Sequence, residues 1–449
     1  MFTLIEWYDL YLFGSLASII ASRFFPNWGP TTTLLCTLAI FASCFIAKPF
    51  GRRLFGRRYT SWPMLLLMGT STFVMGLVPG YEHIGFAAPL ILLLLRLAQG
   101  LSLGTPRRDY FAALTPAAAS LGLVLGLGVI LIARYGLDPD RVVSMEKFNA
   151  WGWRIPFLVS GILLAAAAYI RTKSLPQNTT LPENTSLFPD PAFPTNPTFP
   201  RKPKASPLSL FAVTIAQGVI FYTGQIYIQS FLGNTCHIDF DQSKSTLLIA
   251  TVLAMPFFLI FGRLNDRVGH RTMILSGILL AILTYFFLFP QLLAISGTRG
   301  RTELTDRKEI RSTIAFIGKS RDMARATLTY THYADGMQVL ETRQDTVFAN
   351  GRTSVKPAIT LSATLNTGDY WKIIAILFVI VLCVTIVGGP VPSNSIGNGI
   401  IGGLTPFIAV LLTAIYPGND LAGLWFPIGM TAICFVANSI PHRKFAHVN

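Results

Sequence analysis

The chain has 449 residues, of which 52% are hydrophobic and 13% charged, and its mean hydropathy is positive. So much apolar surface cannot be hidden in a soluble core, which excludes a soluble domain and requires lipid. The formal charge of +15 does not indicate nucleic acid, because the basic residues sit in short loops between apolar runs and not on one aromatic-studded face.

The apolar runs are about 19 to 24 residues long, the length a helix needs to cross roughly 30 Å of hydrocarbon at about 1.5 Å per residue. In chain order they predict helices over 2–25, 31–50, 61–81, 86–104, 112–135, 152–171, 208–232, 246–262, 272–293, 371–391, 395–416 and 421–440. The first run is too long for a signal-peptide core and lacks a basic segment before it, so it reads as helix 1. Lys48, Arg52, Arg53, Arg57 and Arg58 follow helix 2, Arg107 and Arg108 follow helix 4, Arg263, Arg267 and Arg271 follow helix 8, and Arg443 and Lys444 follow helix 12. The positive-inside rule makes that side cytoplasmic, with both termini inside.

Residues 172–207 are rich in Pro, Asn, Thr and Ser and read as a flexible cytoplasmic linker between bundles 1–171 and 208–449. Residues 294–370 form a second long segment, expected to face outward. Strand-like runs at Thr327 to Tyr333 and Ala358 to Leu365 suggest a small β-rich insertion. Trp153-Arg154-Ile155-Pro156-Phe157 and Leu424-Trp425-Phe426-Pro427-Ile428 open helices 6 and 12 with a proline in the first turn, a weak repeat that two equivalent halves would produce. The fold class is therefore an all-α integral membrane protein of about twelve helices in two six-helix bundles.

Few ionisable groups are expected at membrane depth. Of 21 acidic residues only Glu6 and Asp9 fall inside predicted helices, and of 36 basic ones only Arg96 lies near a helix centre. A charge in the bilayer interior costs at least about 2.5 to 3.5 kcal/mol, so such groups face a protein partner or a wet cavity. Asp9 and Arg96 are each about eight residues, roughly 12 Å, from the cytoplasmic end and can pair. Glu6 and Asp9 share a helix face and compete for one guanidinium, an arrangement that either couples a proton to an anionic substrate or staples two helices. Gln99 lies one turn from Arg96, and helix 7 carries Gln217, Tyr222, Gln225 and Tyr227, a set that either lines a substrate cavity or bonds between helices. Gly100 with Gly104, Gly122 with Gly126 and Gly399 with Gly403 make small-residue faces for close helix packing. No phosphate loop, metal spacing or disulfide framework is present in the sequence.

Gly262-Arg-Leu-Asn-Asp266-Arg267-Val-Gly269-His-Arg271 resembles the signature loop of the major facilitator superfamily. Glu6-Trp7-Tyr8-Asp9, Leu95-Arg96-Leu97-Ala98-Gln99-Gly100, Trp151-Gly-Trp153-Arg154-Ile-Pro156-Phe157 and Tyr222-Thr-Gly224-Gln225 narrow the resemblance to its metabolite:proton symporter group. That resemblance implies proton-coupled symport of a small organic acid or zwitterion by alternating access. Glu6, Asp9 and Arg96 would couple proton and substrate, and Tyr8, Gln99, Gln217, Tyr222 and Gln225 would line the cavity. Gly262, Asp266, Arg267, Gly269 and Arg271 would form the cytoplasmic latch. The expected partners are a small-molecule substrate, a proton and membrane lipid, with no nucleic acid; the expected state is a monomer in a bacterial inner membrane, without cofactor, metal or enzymatic activity. The sequence departs from the pattern after helix 2, at Gly51-Arg-Arg-Leu-Phe-Gly56-Arg57-Arg58, after helix 4, at Gly104-Thr-Pro106, and between helices 10 and 11, at Val391-Pro-Ser-Asn-Ser395, and it begins at helix 1 without the usual leader. A degenerate, non-transporting relative, or a membrane sensor using 294–370, is the competing expectation.

Overall fold

A computed structural model describes residues 2–26, 28–55, 61–103, 115–174, 207–304, 308–316, 323–347, 358–388 and 395–439. The first predicted span is two helices, α1 (Phe2–Ser15) and α2 (Ala17–Phe24), bent by 62°. The bend follows Gly14 and Ser15, a small-residue pair of the kind at which helices kink. Next come α3 (Pro30–Phe55), α4 (Ser61–Leu77), the single turn α5 (Tyr81–Ile84), α6 (Ala87–Leu103) and α7 (Thr115–Gly136). The sixth span is longer than predicted. Helix α8 (Arg141–Lys147) and a π-helical turn at Phe148–Gly152 precede α9 (Arg154–Ser174), with a 53° bend between them. Of the expected linker 172–207, residues 175–206 lie outside the described residues.

The second half opens with α10 (Pro207–Tyr222), the short α11 (Ile228–Ser230) and π-helical turns at Thr223–Tyr227 and Phe231–Thr235, which together make one span. Then follow α12 (Phe240–Val268), α13 (His270–Ser296), α14 (Thr367–Val387), a π-helical turn at Ser395–Ile401 leading into α15 (Gly402–Ile415), and α16 (Trp425–Ser439). Eight described helices are long and apolar enough to cross a membrane, and the two bent pairs and the shorter helices at Trp62–Leu77 and Ala87–Leu103 bring the tally to the twelve predicted. Lipid-facing positions stay apolar: Leu90, Leu94, Ile132, Phe286 and Phe287 are all more than half exposed.

Two boundaries correct the sequence reading. Helix α12 begins at Phe240, not 246, because the Asp239 side chain accepts the Asp241 backbone N–H at 3.1 Å and caps it. That earlier start draws Asp241 and Lys244 into the span. The expected signature loop is also mostly helix: α12 runs to Val268 and α13 starts at His270, so Gly269 alone, at φ +95°, makes the turn.

Within the first half α1 packs on α7, α3 on α6 and α4 on α9; within the second α12 packs on α14, α13 on α14 and α10 on α16. Across the halves, α7 packs on α12 and α3 on α15. Between α13 and α14 stands a four-stranded antiparallel meander, β1 (Glu309–Phe316), β2 (Met323–His332), β3 (Gln338–Val347) and β4 (Ala358–Thr364), in that spatial order. The two predicted strand runs match β2 and β4. The sheet is clipped to the helices: Ala363 donates to the His237 carbonyl at 2.7 Å and accepts from the Asp239 N–H at 2.9 Å, while Gln242 exchanges two bonds with the Leu365 backbone. Arg301 completes the joint, reaching the Ile295 and Gly297 carbonyls, Asp335 on the β2–β3 turn and Asp369 at the start of α14.

Candidate functional site

Asp9 on α1 and Arg96 on α6 are each 1% exposed, so both point into the protein and not at lipid. They do not form the expected ion pair. Arg96 Nη1 donates to Gln99 Oε1 at 2.8 Å, and Gln99 Nε2 donates to Thr72 Oγ1 at 2.6 Å. Thr72, on α4, stands beside the Asp9 carboxylate. The guanidinium is drawn instead over the ring of Phe13, 3.8 Å from its centroid, with Phe41 at 5.4 Å. Two neutral side chains, Gln99 and Thr72, thus stand between acid and base in place of a direct bridge from Asp9 to Arg96.

Both ends of that relay are left incomplete. Neither oxygen of Asp9 has a hydrogen-bond partner, and neither do Nε and Nη2 of Arg96. A buried polar group without a partner costs about 1 to 3 kcal/mol, more when charged. A proton on the carboxyl group and an oxyanion on the guanidinium would each remove such a cost. Glu6, half-buried, lies within electrostatic reach of Asp9.

Gln225 sits in the π-helical turn at Thr223–Tyr227, the kind of helix defect that recurs at functional sites. The extra backbone residue turns Gln225 toward the other half, where it accepts from the Tyr11 hydroxyl and its Nε2 lies 3.4 Å from Ser120 Oγ. Tyr222 is buried edge-on against Phe45, 5.1 Å between centroids, and Phe221 is 5.0 Å from Trp7. These rings and the Tyr11–Gln225 bridge form a closed layer between the halves. Two other predicted lining residues lie elsewhere. Tyr8 is fully buried and donates to the Pro156 carbonyl at 2.8 Å, tying α1 to α9. Gln217 is half-buried on α10, two helical turns from Gln225.

Of the proposed latch, Arg271 donates to the Asn438 carbonyl at 2.6 Å and joins the start of α13 to the end of α16. Arg267 is exposed and Gly262 has open space around it. The side chain of Asp266 lies outside those described, as do residues 56–60, 104–114 and 391–394, on which the three departures from the family pattern largely fall.

The sequence reading missed Thr72, Tyr11 and Ser120, uncharged polar groups within predicted helices. It also missed three buried charged residues toward the sheet. Arg134 on α7 pairs with Asp241 on α12 at 3.4 Å, across the halves. Lys244, 5% exposed, donates to Gln229 Oε1 at 2.9 Å. The shifted start of α12 is the reason Asp241 and Lys244 had looked like loop residues.

The sequence profile of the Major Facilitator Superfamily matches residues 2–298. Among curated proteins, the chain is 30% identical to the inner membrane metabolite transport protein YhjE of Escherichia coli (strain K12), over 65% of this chain and 70% of that one. It is 28% identical to a proline/betaine transporter of Salmonella typhimurium, over 61% of this chain and 59% of that one, and 28% identical to a citrate-proton symporter of Salmonella typhi, over 62% and 67%. The chain therefore spans less than two thirds of the proline/betaine relative's length. All three relatives are membrane transporters and not enzymes.

Proposed function

Because the chain belongs to the major facilitator superfamily, in its metabolite:proton symporter group, and is a multi-pass protein of the inner membrane, we propose that it is a secondary transporter carrying a small organic acid or zwitterion by proton-coupled alternating access. The observation that supports this is the incomplete relay. The two free donors of Arg96 are arranged to take a carboxylate in a forked contact, and Asp9 is the acid that gains a proton. Thr72 and Gln99 transmit the state of one to the other without a direct bridge. Gln225, held by Tyr11 and Ser120, joins the halves just beyond this site, so rupture of that bridge would accompany passage of the solute. The loop charges support an orientation with the termini and the Gly269 turn in the cytoplasm and the sheet outside. The relatives' names, which include metabolite, proline/betaine and citrate-proton transport, support the solute class.

Uptake of labelled citrate, oxoglutarate, proline and glycine betaine into proteoliposomes under an imposed proton gradient tests this reading. Gradient-dependent accumulation of one of them, abolished in Arg96→Ala and uncoupled from the gradient in Asp9→Asn, is the expected result. No gradient-dependent uptake by the wild type, or unchanged uptake in Arg96→Ala, rejects it.

A further inference from the structure

Beyond the Tyr11–Gln225 layer, on the side of the sheet, lies a second polar chamber. Ser15 is six residues past Asp9 along the first span, about 9 Å, and Gln229 is one turn past Gln225. A cavity of about 250 Å³ opens there, lined by Ser15, Gln229, Ser243, Lys244 and the Thr360–Ser362 stretch of β4. It shares Ser230, Asn234, Thr360 and Leu361 with a larger cavity of about 790 Å³ between α3, α15 and β4. Strand β4 borders both.

The chemistry of the smaller chamber is one-sided. The Lys244 ammonium has three protons to give and spends one on Gln229 Oε1; otherwise it faces the Phe240 ring at 5.4 Å. Among the described residues no carboxylate pairs with it, and Asp241, one turn earlier, is engaged by Arg134. The hydroxyls of Ser15 and Ser243, each 2% exposed, have no hydrogen-bond partner. Burying a cation without a counter-charge is expensive, and ionisable groups at membrane depth mark the paths of ions and solutes. Three donors, Lys244, Ser15 and Ser243, line one small space, and the one side-chain acceptor that Lys244 reaches there among the described residues, Gln229 Oε1, takes only one of its protons. The missing component is an oxyanion.

We propose that Lys244, Ser15 and Ser243 form a vestibule site for the carboxylate of a small solute, under β4 and separate from the Arg96 level. The identity of the solute rests on the transport reading above; the anion site does not. Its position on the sheet side of the closed layer makes it the place where a solute is held before the Tyr11–Gln225 bridge parts.

The test uses full-length Ser243→Cys protein in membranes, treated separately with a thiosulfonate reagent bearing a sulfonate and one bearing a quaternary ammonium. Modification of residue 243 is followed by peptide mass spectrometry, which reads the native thiols separately. With Lys244 present, the anionic reagent is expected to react about tenfold faster than the cationic one, the scale of one unit charge a few ångströms away in a wet cavity. Lys244→Met should erase that preference and Lys244→Arg should keep it. Citrate should slow the reaction, whereas sodium chloride at equal ionic strength should not. Equal rates for the two reagents, no modification by either, or a preference that survives Lys244→Met would overturn the proposal. Should Lys244→Met fail to fold, protection by citrate in the Lys244 protein decides it, and absence of protection is a refutation. Failure of the uptake assay leaves the labelling ratio unaffected, so the two readings fail separately.

Discussion

The Arg134–Asp241 pair makes a prediction that needs no knowledge of the solute. Its side chains are 4% and 6% exposed and its Nε to Oδ1 distance is 3.4 Å, which at an effective dielectric constant near 20 corresponds to about 5 kcal/mol of attraction. Removing both ions from water costs a comparable amount, so the pair as a whole contributes little net stability. Removing one partner leaves the other buried without this counter-charge. Arg134→Met and Asp241→Leu should therefore each lower stability by about 3 to 5 kcal/mol, while the double variant should return to within about 1 kcal/mol of wild type or exceed it. Equilibrium unfolding in mixed micelles, followed by circular dichroism, measures all four corners of the cycle. The two sites belong to α7 and α12, which pack on each other across the halves, so the coupling term reports directly on that contact. A single variant within about 0.5 kcal/mol of wild type, or a double variant whose loss is the sum of the singles, would refute the reasoning.

Thr72→Val keeps the side-chain shape but removes the acceptor for the Gln99 amide; a loss of about 1 to 3 kcal/mol is expected in the same unfolding assay, and a neutral result would show that the relay is not formed. Gly218→Ala would place a methyl 2.8 Å from the Cα and the carbonyl oxygen of Asn398. Because backbone cannot yield as a side chain can, α10 and the Ser395–Ile401 turn must separate, at a cost of about 1 to 3 kcal/mol. Arg301→Ala should loosen the sheet, since at least about 2 kcal/mol of charged hydrogen bonding is lost, and amide exchange at Leu304, Tyr333 and Ala363 should quicken by roughly thirtyfold. Burial pushes the Cys236 thiol up to about 12, so at pH 7.5 fewer than about one molecule in ten thousand holds a thiolate there. Maleimide labelling of Cys236 should be negligible in the folded protein at that pH. It should rise tenfold per pH unit toward the shifted value and become complete after unfolding in detergent.

The number and order of spans could be read from the sequence because a membrane-crossing helix announces itself by composition alone: eighteen or more apolar residues need lipid whatever they pack against. Bends and π-helical turns could not, since they arise where Gly14 and Ser15, or the segment from Thr223 to Tyr227, meet neighbours from other helices. The sheet was half visible. Alternation marked β2 and β4, but β1 and β3 carry Arg311, Glu341, Arg343 and Asp345 among short apolar stretches and show no face that composition alone assigns to a core.

The same distinction governs the site. That Asp9 and Arg96 belong to the interior followed from the cost of placing charge in hydrocarbon, a one-body argument that needs only the sequence. How they are connected is a many-body question, and there the expected pair gave way to Gln99 and Thr72, with the guanidinium laid over Phe13 and bonded to one amide, its Nε and Nη2 still open. Lys244 shows the argument working in reverse. Moving the start of α12 by six residues turns a loop lysine, which needs no explanation, into a buried cation with two protons to spare beneath β4. The charge was in plain sight in the sequence; only the helix cap at Asp239 gave it depth, and depth is what converts a lysine into a demand for an anion.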